Sequence, residues 1–245
     1  MFPNKLRLAL LACGPLFLVL GMTGCADMKT STKEAEPYSN KELIQSTHNR
    51  YANLAMRDNL ETLRAIQLEL YRLNPGEWRE SPVASQDEAV ERIWKAVREE
   101  GFVLPEFKDK RDIPAINLAL DPVYPGDRVA AFTYGLVTML IEVYGSRLEL
   151  RLIDGLTAEK LYKAARNVET AVRLLTERRR PGGGPLLVCV GGTPKEPIGI
   201  ERQVGALVGR LDLLAANMDE KYRRAAINYL QGLVMGNFLE LMPIQ

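Results

Sequence analysis

The sequence predicts an all-α protein: a multi-helix, bundle-like domain with at most a minor β element. Three observations carry this. The segment from Lys41 to Leu73 holds neither Pro nor Gly and repeats its apolar residues at helical spacing. Val129 to Ile141 is a run of 13 residues without a charge, long enough for a buried core helix and too short to cross a bilayer. Only Arg147–Ile153, where charged and apolar residues alternate, and the apolar pentamer Leu186–Val190 read as strand-compatible.

Taken in chain order, the first element is not part of that bundle. Lys5 and Arg7 precede a 13-residue stretch of apolar and small residues, Leu8 to Leu20, and Gly21-Met22-Thr23-Gly24-Cys25 follows. This is the three-part layout of an export signal. Its ending resembles the lipobox of bacterial lipoproteins: an aliphatic residue, a small one, Gly or Ala, then Cys, with Met22 standing where Leu is commoner. The resemblance covers the first 25 residues or so. It implies diacylglycerol on the Cys25 thiol, cleavage before Cys25, and a fatty acyl group such as palmitate on the new amino terminus. A retained membrane helix is the competing reading, since Leu8 to Ala26 is uncharged over 19 residues. Gly14, Pro15, Gly21 and Gly24 make such a helix a poor one. Three acyl chains would anchor the protein firmly, because two anchoring signals already suffice. Ala26 follows the Cys, where Asp favours inner-membrane retention in lipoproteins of the enteric type. The resemblance therefore points to the outer membrane and a domain facing the periplasm.

The implied organisation has three parts: residues 1–24 as signal peptide, 25–40 as lipidated Cys and flexible tether, and 41–245 as the helical periplasmic domain. The tether carries Asp27, Lys29, Lys33, Glu34, Glu36 and Pro37, with too few apolar residues to fold.

Ser39 with Glu42 suits a capping box at the head of the long helix. Tyr51, Leu54, Leu60, Leu63, Ile66, Leu70 and Leu73 form its apolar face, Asn74-Pro75-Gly76 stops it, and Trp78 packs under the turn. Ser85 and Glu88 suit a second capping box, opening a helix that buries Ala89, Val90, Ile93, Trp94 and Val97 and ends at Gly101. Phe102 to Gly126, with four prolines, is predicted irregular apart from a short helix near Pro114–Leu120. The uncharged helix follows, with Ala130, Ala131 and Gly135 on a small-residue side. Leu156 to Arg180 reads as an amphipathic helix with Leu161, Ala164, Ala165, Val168, Val172 and Leu175 inward. Arg178, Arg179 and Arg180 match the negative end of its dipole. After the Pro181–Pro185 loop, two helices are expected, near Ile198–Met218 and Asp219–Leu241. Gly205/Gly209 and Gly232/Gly236 would be their packing notches.

Composition bounds the function. The net charge is +1, with 32 basic and 31 acidic residues, which gives no reason to expect nucleic acid as a partner. Of the three cysteines, processing would remove Cys13 and lipidate Cys25, leaving Cys189 in an apolar setting that favours an inert thiol. His48 is the only histidine and has no metal or catalytic partner near it in sequence. Neither Gly182-Gly183-Gly184 nor Gly191-Gly192-Thr193 has the spacing of a phosphate-binding loop. Asp109, Asp112, Asp121 and Asp127 surround the Pro-rich stretch without EF-hand spacing. The helix ending in Arg178, Arg179 and Arg180 has seven basic and three acidic residues, a candidate contact for anionic lipid or a polyanionic glycan. No catalytic set, metal set or cofactor beyond the covalent lipid on Cys25 is read from the residues. The leading expectation is a membrane-anchored, non-enzymatic envelope adaptor or assembly factor with an envelope protein partner. The alternatives are an envelope hydrolase acting on peptidoglycan or lipid through carboxylates between Phe102 and Asp127, and a carrier of lipid or a small ligand.

Overall fold

The computed structural model describes residues 47–99, 103–148, 156–190 and 199–240, the last nine of them as backbone. The chain divides by its internal contacts into two units, Met1–Ser39 and Asn40–Gln245. The first lies outside the described residues, and with it Met22, Thr23, Gly24 and Cys25. So do the Ser39–Glu42 cap, Gly101, most of the strand-like stretch at 149–153, and the turn at Gly191.

The described part is all-α, with six helices and no strand. Helix α1 (Thr47–Leu73) buries Ala52, Met56, Asn59, Leu63, Ile66 and Leu70, at steps of four and three residues. The apolar face is rotated from the expected one at its start: Tyr51 is 59% exposed and Ala52 faces the core instead. The small Ala52 leaves room for Tyr144, whose hydroxyl donates to the Ala52 carbonyl at 2.8 Å. A 3-10 turn at Glu77–Glu80 carries Trp78, half-buried against the core.

Helix α2 (Gln86–Arg98) begins as its sequence predicts. The Ser85 hydroxyl accepts from Glu88 N at 3.1 Å, and the Glu88 carboxylate accepts from Ala84 N at 2.7 Å. Its Trp94 is buried and donates to Gln67 of α1 at 2.8 Å, which satisfies the indole N–H. A 3-10 turn at Pro105–Phe107 and helix α3 (Asp112–Leu120) occupy the Pro-rich stretch.

Helix α4 (Arg128–Val143) is the core of the domain: every residue from Arg128 to Ile141 is buried. It packs against α1, α2, α3 and α5 (Ala158–Glu177). The tightest approach is to α3, at Gly135. A Cβ there would fall 2.7 Å from Ile116 N and 2.9 Å from the Asp112 carbonyl. One turn further on, Thr138 Oγ1 accepts from Asp112 N at 2.8 Å. It thereby caps a helix whose own N-cap residue, Arg111, offers no side-chain bond. Gly135 and Thr138 together form a seat on α4 for the start of α3.

Three expectations need correcting. The predicted pair of C-terminal helices is one continuous helix, α6 (Glu201–Glu240). Asn217-Met218-Asp219-Glu220 contains no Gly or Pro, and an Asp inside a run of helix formers does not break it. Gly205 and Gly209 are not packing notches either. Both are exposed, with nothing within 4 Å of an added Cβ. The expected arginine-closed helix is also shorter, since α5 ends at Glu177.

Leu186–Val190 does not become a strand, and no strand lies beside it among the described residues. The Asn74 side chain takes that place: its amide donates to Val188 O at 2.9 Å and its oxygen accepts from Val188 N at 2.8 Å. An isolated bridge between Arg179 and Pro185 is the one β-type pairing among the described residues.

Candidate functional site

A dense polar cluster among the described residues sits where α1 ends and α4 begins. Asp127 is the N-cap of α4 and its Oδ1 accepts from Ala130 N at 2.9 Å. Its Oδ2 accepts from the Tyr71 hydroxyl at 2.7 Å and the Ser81 hydroxyl at 2.9 Å. Burial pushes the Asp127 carboxyl up to about 6, against the three hydrogen bonds that favour its charged form, and Glu77 nearby adds to the rise.

Arg128, fully buried beside it, turns back into the loop it follows. Nη1 donates to the Ala119 and Asp121 carbonyls, and Nη2 to those of Pro122 and Tyr124 at 3.0 Å. The guanidinium centre lies 5.8 Å from the centre of the Tyr124 ring. Burial, followed by the nearby charge of Arg180, lowers the Arg128 pKa. Glu77 accepts from Arg128 N at 3.0 Å and from Arg180 at 2.5 Å. The cluster therefore ties four pieces of chain to the head of α4.

Against this corner lies a cavity of about 370 Å³. Phe107, Leu118, Pro82, Pro125 and the Tyr124 ring form its apolar wall, and Ser81 and Asp127 stand at its back. Phe107 is fixed by stacking on Tyr134 of α4, ring centres 4.9 Å apart. Lys108 and Lys110 stand at the rim, carried by a turn in which Lys108 (φ 49°) and Asp109 (φ 62°) are left-handed. Glu106, also on the rim, is held by Arg92 through two bonds of 2.6 and 2.9 Å. Gly126 leaves room for the Tyr124 ring: a Cβ on it would lie 2.6 Å from the Tyr124 hydroxyl, so the ring would have to shift.

The residues singled out from sequence are scattered. Arg178 donates to the Leu120 carbonyl at 2.9 Å, Arg179 to that of Thr176 at 2.6 Å, and Arg180 to Glu77 and the Leu186 carbonyl. The other cations of α5 are mostly paired: Lys163 with Glu159, Arg166 with Glu169 and Asp212, Arg173 with Glu177. His48 is half-buried and meets Asn217 of α6 at 3.0 Å. Asp121 bonds Val123 N at 3.0 Å in its own turn, and Asp112 is engaged at the α3–α4 seat. Sequence reasoning named Asp127 but missed Tyr71, Ser81, Glu77 and Arg128. A signal was present in Asp127-Arg128, two charges abutting an uncharged run. Their partners, however, lie up to 56 residues away.

Cys189 is buried, and desolvation, with Glu201 adding, pushes its thiol up to about 12. A thiol so raised holds almost no thiolate at neutral pH. In folded protein at pH 8, Cys189 is expected to stay unlabelled by an aromatic disulfide reagent over minutes, and to react at once in denaturant. Prompt labelling of the folded form would contradict its burial.

Asp127 gives the stability a pH dependence. Its folded pKa is raised from 3.8 to about 6, so protonation favours the folded state. That contribution is complete below pH 4 and is lost as pH rises through 6. It is at most about 3 kcal/mol, from roughly 1.4 kcal/mol per unit. The expected result is a urea midpoint that falls more between pH 5 and pH 7.5 in the native chain than in Asp127→Asn. Parallel behaviour of the two would remove Asp127 as the cause.

A second feature lies on α6. Ile200, Leu207, Leu211, Leu214 and Met218 are buried, at steps of three, four or seven residues against α1 and α5. Arg210 fastens this seam by donating to Asn59 at 2.7 Å and to the Asp58 carbonyl at 3.2 Å. The seam stops at Met218. From Asp219 to Gln231 no residue is buried, and Tyr222, Tyr229 and Leu230 are 56%, 68% and 59% exposed. Among the described residues no helix is long and apolar enough to cross a membrane. No family model, no curated protein and no solved structure matches this chain.

Proposed function

We propose that the chain is a bacterial envelope lipoprotein, tethered by lipid on Cys25, whose helical domain is a non-enzymatic adaptor or assembly factor for another envelope protein. Its proposed place is the periplasmic face of the outer membrane, from the Ala26 that follows Cys25. The observation that carries the adaptor reading is the second half of α6. A 40-residue helix is roughly 60 Å long, and between Met218 and Gln231 its inward stripe does not continue. Beyond that stripe, as far as Gln231, the helix presents Tyr222, Tyr229 and Leu230 to solvent, side chains of the kind with which a helix lies into a partner's groove. Apolar residues exposed singly are ordinary, whereas apolar residues exposed close together mark an interaction surface.

The experiment is cross-linking in intact cells, with mass spectrometry of what is captured. Three forms are compared: the native chain, Cys25→Ser, and Tyr229→Glu with Leu230→Glu. One envelope protein captured by the native chain and lost from both variants is expected. Equal capture of abundant neighbours by all three would overturn the adaptor reading. The hydrolase alternative rests on Asp121 and Asp127, and both already have structural hydrogen bonds to keep. Loss of a turnover in Asp121→Asn or Asp127→Asn, with folding intact, would favour it.

A further inference from the structure

We propose that the cavity between the Pro105–Phe107 turn and the head of α4 binds a single-chain anionic amphiphile, its acid group at Lys108 and Lys110 and its chain along Phe107, Leu118, Pro82 and Pro125. This goes beyond the adaptor reading and stands on separate residues, so either can fail without the other.

Size is the first argument. A volume of about 370 Å³ lies within the range of small-molecule sites. At roughly 30 Å³ for each water-sized share it accommodates about a dozen non-hydrogen atoms. That suits a medium acyl chain with its head group and excludes a two-chain phospholipid.

The wall is the second. Leu118 is held from behind by the core, and Phe107, buried and stacked on Tyr134, backs the apolar wall that Pro82, Leu118, Tyr124 and Pro125 present. The Tyr124 hydroxyl stands over Gly126 with no hydrogen-bond partner among the described residues. It is available to a ligand's polar group.

Charge is the third, and it decides between an anion and a cation. Five acidic or basic side chains that carry charge near neutral pH line the cavity: Glu80, Glu106, Lys108, Lys110 and Asp127. Two of the three carboxylates are already satisfied, Glu106 by Arg92 and Asp127 by Tyr71, Ser81 and Ala130 N. Lys108 and Lys110 are exposed and have no carboxylate partner among the described residues. Lys108 and Lys110 both line the cavity, while Asp109, between them in the left-handed turn, does not, so among the lining residues the acid meets two unpaired cations against one unpaired carboxylate, Glu80.

The test uses membranes containing the full-length chain and a decanoate probe bearing a diazirine on its acyl chain. After irradiation, labelled peptides are mapped by mass spectrometry. Label is expected within residues 80–82 and 106–127. Excess decanoate should displace it, and decyltrimethylammonium should not. The double variant Lys108→Gln, Lys110→Gln is expected to cut labelling about fivefold to twentyfold, since both side chains are exposed and the fold does not depend on them. Leu118→Trp, which fills the cavity from its wall, should cut it similarly. Displacement by octyl phosphate as effective as by decanoate would assign a phosphate head group. Preference for decanoate would assign a free fatty acid. Label spread evenly over the surface, label insensitive to both variants, or equal displacement by the cationic amphiphile would each overturn the proposal.

Discussion

Arg128→Met is expected to lower the melting temperature by roughly 10–15 °C, the equivalent of about 3–5 kcal/mol in a domain of this size. Methionine fills a similar space but leaves four carbonyl oxygens, those of Ala119, Asp121, Pro122 and Tyr124, without their common donor. An unsatisfied buried acceptor costs about 1–3 kcal/mol, while the whole domain is stable by only about 5–15 kcal/mol. Lys at the same position is expected to recover less than half of the loss. An ammonium is a point charge, and it cannot reach acceptors fanned out around a planar guanidinium. Thermal melts of the two variants check this. Melting within 3 °C of the parent for both would mean that the loop carbonyls find water instead.

Gly135→Ala is expected to destabilise by about 2–4 kcal/mol, although it adds a single methyl group. That methyl would meet backbone atoms of α3, Ile116 N and the Asp112 carbonyl, closer than 3 Å. Backbone cannot swing aside as a side chain can, so α3 must move off the seat and Thr138 loses its bond to Asp112 N. Gly205→Ala supplies the control. It lies just past the first turn of α6, on the exposed side in open space, and the same change there should stabilise by about 0.5–1 kcal/mol. Opposite signs at the two glycines, read as urea midpoints, are the expected outcome. Equal effects would remove the close α3–α4 approach from the account.

Those two glycines also show where sequence reading stops. The GxxxG spacing of Gly205 and Gly209 suggested a notch, but spacing places residues on one face without saying which way the face points. The direction comes from Leu207, Leu211, Leu214 and Met218, whose stripe turns the glycines outward. Gly135 was legible as part of a small-residue side of an uncharged helix, and burial of that helix followed from its composition. Capping at Ser85 was legible because its partners are local. The Asp127–Arg128 cluster was not, because Tyr71, Ser81 and Glu77 come from other segments and most of Arg128's partners are backbone carbonyls, which every sequence has. The continuity of α6 was missed by treating Asp219 as a boundary where neither Gly nor Pro stood. The amphiphile cavity left no mark in the sequence at all, since its lysines, prolines and Phe107 belong to a stretch legible only as irregular.

Everything proposed for the chain's place in the cell hangs on Cys25. The most direct measurement is mass spectrometry of the amino-terminal peptide from protein extracted from membranes. The account predicts that the peptide begins at Cys25 and carries a diacylglyceryl thioether with an acylated amino group. A peptide beginning at Met1, or an unmodified Cys25 thiol, would contradict the tether and with it the envelope adaptor.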